Sequence, residues 1–513
     1  MPTSSPTEAG RRVVVIGADG LRPDLIDPAI MPNVATLAAR GVRFTDHHAA
    51  WPTHTRVNMS TLATGTTPGR HGIVANTMLV PGATDDDIID TSNSRHLDAL
   101  GRFSGSHGLL GTPDLGTILA AHGARVAVAG TGSGGANLLW TPHHRTRLVN
   151  TGTAYGIADL YDLREKLGEI PDANAPDEAR IAYATRAATE LFLPDPDNRL
   201  IVLWLAEPDH SLHLRGLGSP ETIGAMRAVD GTVGRVQEAL DRLGIRDDVD
   251  IFFMSDHGHS TIRAHRTLRD ALGEAARDLG PGAIPPLTTA SDYLYPLPGT
   301  PTPAAADLAP LVTWLTAQEW SDLVLAPASL ARQLPGVLPI EPLWNGVLHP
   351  RAPLLAVSPR WTHDRNAFGV PGTVAALTTQ AALKSSHGSA SPYDLHATLI
   401  AHGPSFREGV VSTLPTGATD LLPTILTILD LSVPSVLDGR ILHEGLAASR
   451  DVPMPDAWDD LLAPEVPAAG RSGRVRLHRV GPVTYVHGSE PFDTPPHVPV
   501  HGLDRIAPER DAT

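Results

Sequence analysis

VVVIGADG, residues 13–20, places four β-branched residues in a row and then breaks into Gly-Ala-Asp-Gly. A half-exposed strand would alternate apolar and polar positions, so the unbroken run predicts a strand buried on both faces. Similar runs recur at 124–130 (ARVAVAG), 200–206 (LIVLWLA), 249–255 (VDIFFMS) and 395–401 (LHATLIA). Helical patterns lie between them at 31–41, 115–123 and 222–244, several closing on Gly as helix C-termini often do. The alternation predicts an α/β fold with a mostly parallel central sheet flanked by helices on both faces. Proline-rich stretches break the pattern at about 280–310 and 451–469. The first predicts a smaller inserted subdomain, about 262–385, within a main domain spanning 12–445. The second predicts a linker into a C-terminal tail, 446–513, whose GRVRLHRVGPVTYVHG resembles a hairpin.

Composition narrows the function classes. With 513 residues, 42% of them hydrophobic, the chain can bury a large core. A formal charge of −16 argues against nucleic-acid polymers and anionic membranes as partners. It leaves room for a small anionic substrate, because bound cations can reverse a local field. The absence of cysteine excludes disulfides, thiolate metal sites and cysteine nucleophiles. No signal-peptide core follows MPTSSPTEAGRR, and no apolar run approaches the ~18 residues of a membrane span. A cytoplasmic protein is therefore expected, of open oligomeric state.

In open α/β sheets chemistry collects just beyond the carboxyl ends of the strands. VVVIG leads to Asp19, LIVLWLA to Glu207-Pro208-Asp209 with His213 four residues on, and DIFFMS to Asp256-His257-Gly258-His259. Ser386-His387-Gly388 precedes the run at 395. Each has a plainer reading alone. A strand-end Asp commonly caps a turn, one His among 24 is ordinarily a surface or core residue, and Asp209 and His213 stand one helical turn apart. Together they form an imidazole–carboxylate set that suits Zn²⁺, with Mn²⁺ also accommodated. Six such ligands exceed the needs of one tetrahedral ion and point to two. The hydroxyl-rich segment 51–76, WPTHTRVNMSTLATGTTPGRHGIVAN, is too polar for a core strand or an ordinary apolar helix stripe. It offers instead a hydroxyl nucleophile at a helix start, where unpaired N–H groups can receive phosphate oxygens.

These residues resemble the alkaline phosphatase superfamily, specifically its type I phosphodiesterase/nucleotide pyrophosphatase branch. The matching pieces are ADG (18–20), PTHTRVN (52–58), TGTTPGRHGIVAN (64–76), EPDHSLH (207–213), SDHGH (255–259) and SHG (386–388), in the family's order over roughly 12–445. The resemblance implies an alkaline-phosphatase-like catalytic domain and a two-metal hydrolase of phosphoric esters, most simply phosphodiesters or nucleotide pyrophosphate-type bonds. It makes Thr55 the nucleophile, forming a phospho-threonine intermediate. Asp19, Thr55, Asp256 and His257 would hold one ion; Asp209, His213 and His387 would hold the other. Asn76 would hydrogen-bond a phosphate oxygen.

The departures carry information. Arg56-Val57 stands where the family commonly has Phe-Pro. Arg56 is either a salt-bridged structural residue or an extra cation on the phosphate, which would favour monoesters or a carboxylated phosphonate. Thr53 is expected to support the loop, and His71 and His259 to be structural or supporting residues. Leu138, Leu139 and Trp140, within GSGGANLLWTP, are either a clamp for the leaving group or ordinary core. Alternatives are a phosphonoacetate-type C–P hydrolase, a phosphomonoesterase, a phosphomutase and an inactive metal-binding protein. A sulfatase is disfavoured because its modified residue arises from Cys or Ser.

Overall fold

The computed structural model describes residues 10–490 apart from 106–107, 144–146, 152, 156–159, 173 and 469–472. Its centre is a nine-stranded sheet. The strands are β1 (Arg12–Ala18), β2 (Val42–Phe44), β3 (Arg125–Gly130), β4 (Leu148–Asn150), β5 (Thr153–Tyr155), β6 (Asn198–Leu205), β7 (Val249–Met254), β8 (Leu399–His402) and β9 (Val410–Ser412). In space they run β9-β2-β8-β7-β1-β6-β3-β4-β5. The block β4-β3-β6-β1-β7 is parallel throughout, with β8 antiparallel to β7 at one side and β5 antiparallel to β4 at the other.

Apolar continuity in these strands has a direct cause. Val13 and Val15 join one core with Leu200, Val202, Phe252 and Met254, while Val14 and Ile16 join a second with Ile201, Leu203, Ile251 and Phe253. Alternate side chains enter opposite layers, so both faces demand apolar residues. The second layer is closed by helix α1 (Pro32–Arg40) and by the long helix α4 (Pro220–Leu243), which presents Met226, Val229, Val233, Val236 and Leu240. Helix α2 (Thr55–Thr64) lies in the first layer, and α3 (Asp209–Arg215) starts just beyond β6.

The run at 395–401 is only partly strand. Pro392–Leu395 forms a helical turn opened by Ser391, whose side chain accepts from the Tyr393 amide, and the strand begins at Leu399. Between 262 and 385 a five-stranded sheet packs with helices Leu268–Leu279 and Ala305–Ala317 around a core of their own that includes Leu294, Leu308, Leu311, Val324 and Leu355. The segment expected to be a linker carries a strand, Ala457–Leu462, paired with the first arm of the hairpin Arg474–Val480/Val483–Glu490. Val475, Leu477 and Val486 of that hairpin belong to the main core, so these three strands are part of the body. No helix among the described residues is long and apolar enough to cross a membrane.

Candidate active site

Three adjacent strands, β6, β1 and β7, end side by side, and their ends supply Asp209, Asp19 and Asp256-His257. The backbone fixes this convergence: Asp19 N–H donates to Leu205 O at 3.0 Å and Asp209 N–H to Asp19 O at 3.0 Å. Gly20 N–H donates to Asp256 Oδ1 at 3.2 Å. Gly20 is held at φ +69°, and a Cβ there would stand 2.8 Å from the His259 ring, which accounts for the glycine after Asp19.

Thr55 opens α2, so its amide is among the unpaired N-terminal donors of that helix. Its hydroxyl lies 3.1 Å from His257 Nε2, and His257 Nε2 lies 3.5 Å from Asp19 Oδ1 and 3.2 Å from Asp256 Oδ2. Asn58 explains the fixed spacing to Thr55: its carboxamide accepts from Ala50 N and donates to Ala50 O and His54 O, tying the approach loop to the helix. Thr53 has the supporting role expected of it. Its hydroxyl donates to Ser389 O and accepts from Gly388 N–H, while its carbonyl accepts from His387 Nδ1 at 2.7 Å. His71 accepts from Ile73 N–H and contacts Thr61 Oγ1, bracing the turn after α2.

Around Asp209 Oδ1 stand His259 Nε2 at 2.7 Å, His213 Nε2 at 3.4 Å and His387 Nε2 at 3.6 Å. Each ring is oriented from behind. His213 Nδ1 meets Ser385 O, His387 Nδ1 meets Thr53 O, and His257 Nδ1 meets Gly258 O. A carbonyl can only accept, so Nδ1 carries the proton and Nε2 is left as a lone-pair donor, the tautomer a metal requires. Ser385 Oγ donates to Leu212 O and so accepts from His259 Nδ1 at 3.1 Å, placing His259 in the same state. Two groups of metal-ligating atoms lie within 4.8 Å: Asp209, His257, His259 and His387 in one, and Asp19, Asp256 and His257 in the other. His259 thus belongs to the cluster. Its position two residues after His257 was the available signal, obscured by the many histidines elsewhere.

The electrostatics call for cations. Burial pushes the Asp19 carboxyl well above the usual range, and the neighbouring Asp256 and Asp209 carboxylates push it further. Burial likewise raises Asp256. Burial opposes ionisation of Asp209 too, but His213, His259 and His387 outweigh it and hold that carboxyl well below the usual range. Asp19 Oδ1 and Asp256 Oδ2 are buried without a hydrogen-bond partner among the described residues. Orphaned buried carboxylate oxygens are costly, and divalent ions would satisfy both, so the donor set fits metal.

Residues 13–298 match the family described as type I phosphodiesterase / nucleotide pyrophosphatase. The chain belongs to that family. It is 25% identical over 257 residues to an uncharacterized pyrophosphatase/phosphodiesterase of Schizosaccharomyces pombe, covering 50% of this chain and 46% of that protein. It is 26% identical over 259 residues to a venom phosphodiesterase of Crotalus durissus collilineatus, covering 50% of this chain and 27% of that one. To ectonucleotide pyrophosphatase/phosphodiesterase family member 7 of Mus musculus it is 23% identical over 263 residues, 51% of this chain and 52% of that one. The chain therefore spans about half or less of each of these relatives.

Asn76 and Arg56 are the informative positions at this site. Asn76 Oδ1 accepts from Arg56 N–H at 3.1 Å, leaving the Nδ2 donors without a partner among the described residues. Arg56 makes no ion pair among the described residues, and its Nε is buried and unpartnered. The salt-bridged alternative therefore fails. Burial lowers the guanidinium pKa, opposed by the charges of Asp19, Asp90, Asp209 and Asp256.

Leu138, Leu139 and Trp140 are at most 1% exposed, and Trp140 packs against Trp204 at 5.6 Å between ring centroids. Their surface is consumed by the core, so they form no leaving-group clamp. Trp204 in turn donates its indole N–H to Asp19 Oδ2 at 3.3 Å. A cleft of ≈ 460 Å³ beside Asp209 is instead lined by the start of the same stretch, Gly132 and Ser133, with Thr131, Asn150, Thr151 and Arg180. Its lining side chains are mostly hydroxyls, an amide and charged groups rather than large aliphatics.

Proposed function

We propose that this chain hydrolyses phosphoric esters, phosphodiesters or nucleotide pyrophosphate-type bonds first among them, through a phospho-Thr55 intermediate. Asp19, Thr55, Asp256 and His257 would hold one divalent ion, and Asp209, His213 and His387 the other, with His259 a further donor beside them. Zn²⁺ suits this set first and Mn²⁺ second. Bound there, such ions supply the Lewis acidity that lowers the Thr55 hydroxyl pKa and offsets phosphate charge.

The chain's own groups do the rest. Thr55 Oγ forms a bond to phosphorus as the bond to the leaving oxygen breaks on the opposite side. Water then breaks the Oγ–P bond, regenerating Thr55 and releasing phosphate or a phosphomonoester. Asn76 Nδ2 and the start of α2 donate to non-bridging oxygens. The cleft beside Asp209 receives part of the substrate. The observation that carries this reading is the 3.1 Å contact of Thr55 Oγ with His257 inside a cluster holding two orphaned carboxylate oxygens.

Arg56 favours a second reading. A half-buried guanidinium with no ion pair among the described residues offers a cation to a doubly charged monoester or a carboxylated phosphonate. A rate comparison on p-nitrophenyl phosphate, bis-p-nitrophenyl phosphate, a nucleotide p-nitrophenyl ester and phosphonoacetate decides between them. The primary reading expects the diesters to turn over fastest. A clear monoester preference, or phosphate release from phosphonoacetate, overturns it in favour of the second.

A further inference from the structure

A second concentration of imidazoles lies away from Thr55, where the C-terminal three-stranded sheet meets the main body. Asp46 and His48 come from the segment after β2, His396 from the turn before β8, and His478 and His487 from the two arms of the hairpin. Asp46 Oδ1 is 3.2 Å from His48 Nε2, which is 3.2 Å from His487 Nδ1. His487 Nδ1 is 3.2 Å from His396 Nε2, and His396 Nε2 is 3.9 Å from Asp46 Oδ1. Four potential ligand atoms thus close a ring. Atoms of Asp46, His48, His478 and His487 also all lie within 4.8 Å of one another.

We infer that Asp46, His48, His396 and His487 form a second, structural metal site that takes a Zn²⁺-like divalent cation and pins the C-terminal sheet to the body. Metal–nitrogen and metal–oxygen bonds of about 2.0–2.1 Å in a tetrahedron separate ligand atoms by roughly 3.3 Å. Three edges of the ring match that spacing and the fourth is slightly open. The hydrogen-bond arrangement points the same way. His48 Nδ1 faces the Thr416 carbonyl at 3.1 Å and must donate to it. A neutral His48 therefore turns a bare Nε2 toward Asp46 Oδ1, and no neutral-ring tautomer places a proton between them. A cation within the ring would give Asp46 Oδ1 and His48 Nε2 a shared partner.

The orienting shell is present as well. His478 Nδ1 lies 3.0 Å from Asp46 Oδ2 and its Nε2 is 3.5 Å from Asp459 Oδ1, so His478 aims the Asp46 carboxylate from the far side. His48 and His396 are nearly fully buried, at 1% and 8% exposed, which suits a closed structural site. The ligands span residues 46 to 487, so the ion would close a loop of nearly the whole chain. Among the described residues no hydroxyl contacts a ligand atom of this ring, and the role is architectural.

The test uses the full chain, stripped with a chelator, reloaded with Zn²⁺ and desalted. Zinc per chain is measured for the parent, for His487→Ala and for Asp209→Asn, alone and combined. His487→Ala is expected to lower zinc by about one equivalent in both the parent and the Asp209→Asn background, whatever the active-site stoichiometry. Unchanged zinc in His487→Ala overturns the proposal. Should that variant misfold, anomalous diffraction at the zinc edge on the parent protein is decisive. A peak between His48 and His487 supports the site; its absence from zinc-saturated crystals means the cluster holds only protons, with His48 as an imidazolium paired to Asp46.

Discussion

The histidine–carboxylate cluster beside Thr55 and the one beneath the hairpin use the same side chains and differ in what surrounds them. The first gathers at the ends of neighbouring strands β6, β1 and β7, with the Thr55 hydroxyl 3.1 Å from His257 and a cleft of ≈ 460 Å³ beside Asp209. The second lies between body and hairpin, with His48 1% exposed and the ring of Tyr485 stacked on it at 6.2 Å. Imidazole and carboxylate define only an affinity for a cation. What makes one cluster a candidate catalyst is a nucleophile, a helix N-terminus and room for substrate.

That contrast can be broken at several points. Thr55→Ala should lower turnover by on the order of 10⁴-fold, as expected when a covalent nucleophile is lost, while metal content stays near that of the parent. Turnover like the parent's would sink the nucleophile assignment. Asp209→Ala should remove about one bound ion together with most activity; full occupancy by elemental analysis would refute the division of ligands. At the other cluster, His487→Ala should leave kcat essentially unchanged but expose the 457–490 strands to limited proteolysis. Trp204→Phe deletes the indole N–H that orients Asp19. A loss of about 10-fold in metal affinity or rate is expected, the usual scale for such orienting contacts; no change in either would leave Asp19 self-sufficient.

The smallest expected effect is on the pH dependence of stability. Burial pushes the carboxyl of Asp322, which accepts from Ser489 Oγ of the hairpin, up to about 7. Burial also raises Asp420, which accepts from Tyr485 Oη, to about 6. Between their ordinary range and these values the folded chain holds protons that the unfolded chain has released. These two carboxyls therefore contribute stability that is lost as pH rises from about 4 to about 7. Asp322→Asn should remove this falling contribution and so make the Tm–pH slope across that window more positive; an unaltered slope would rule out Asp322 as a source.

Much of this architecture was legible in the residues. Both faces of β1, β6 and β7 are buried, so periodicity vanished from their sequences and left a run that could hardly be misread. The strand-end acids followed from topology, because neighbouring parallel strands must deliver their ends to one place. Helix α2 was less legible. Its Ser60, Thr61 and Thr64 are fully buried although polar, because each hydroxyl donates to the carbonyl four residues back. A composition rule counts those residues as polar, whereas the folded helix hides their polarity within itself. Leu138, Leu139 and Trp140 misled in the opposite sense, since nothing local distinguishes a pocket wall from a core. The second cluster was illegible because its ligands are scattered from Asp46 to His487 and meet only through long-range packing.

One tie has a consequence for biosynthesis. Thr53, two residues before the candidate nucleophile, is locked to His387 and Gly388, 334 and 335 residues further along the chain. At about 5–20 residues per second a ribosome needs roughly 20 to 70 seconds to cover that distance. Throughout that interval Thr55, Asp19 and then Asp209 are outside or nearly outside the exit tunnel without the segment that braces them. The loop that carries Thr55 therefore lacks this brace until residues 387 and 388 have emerged.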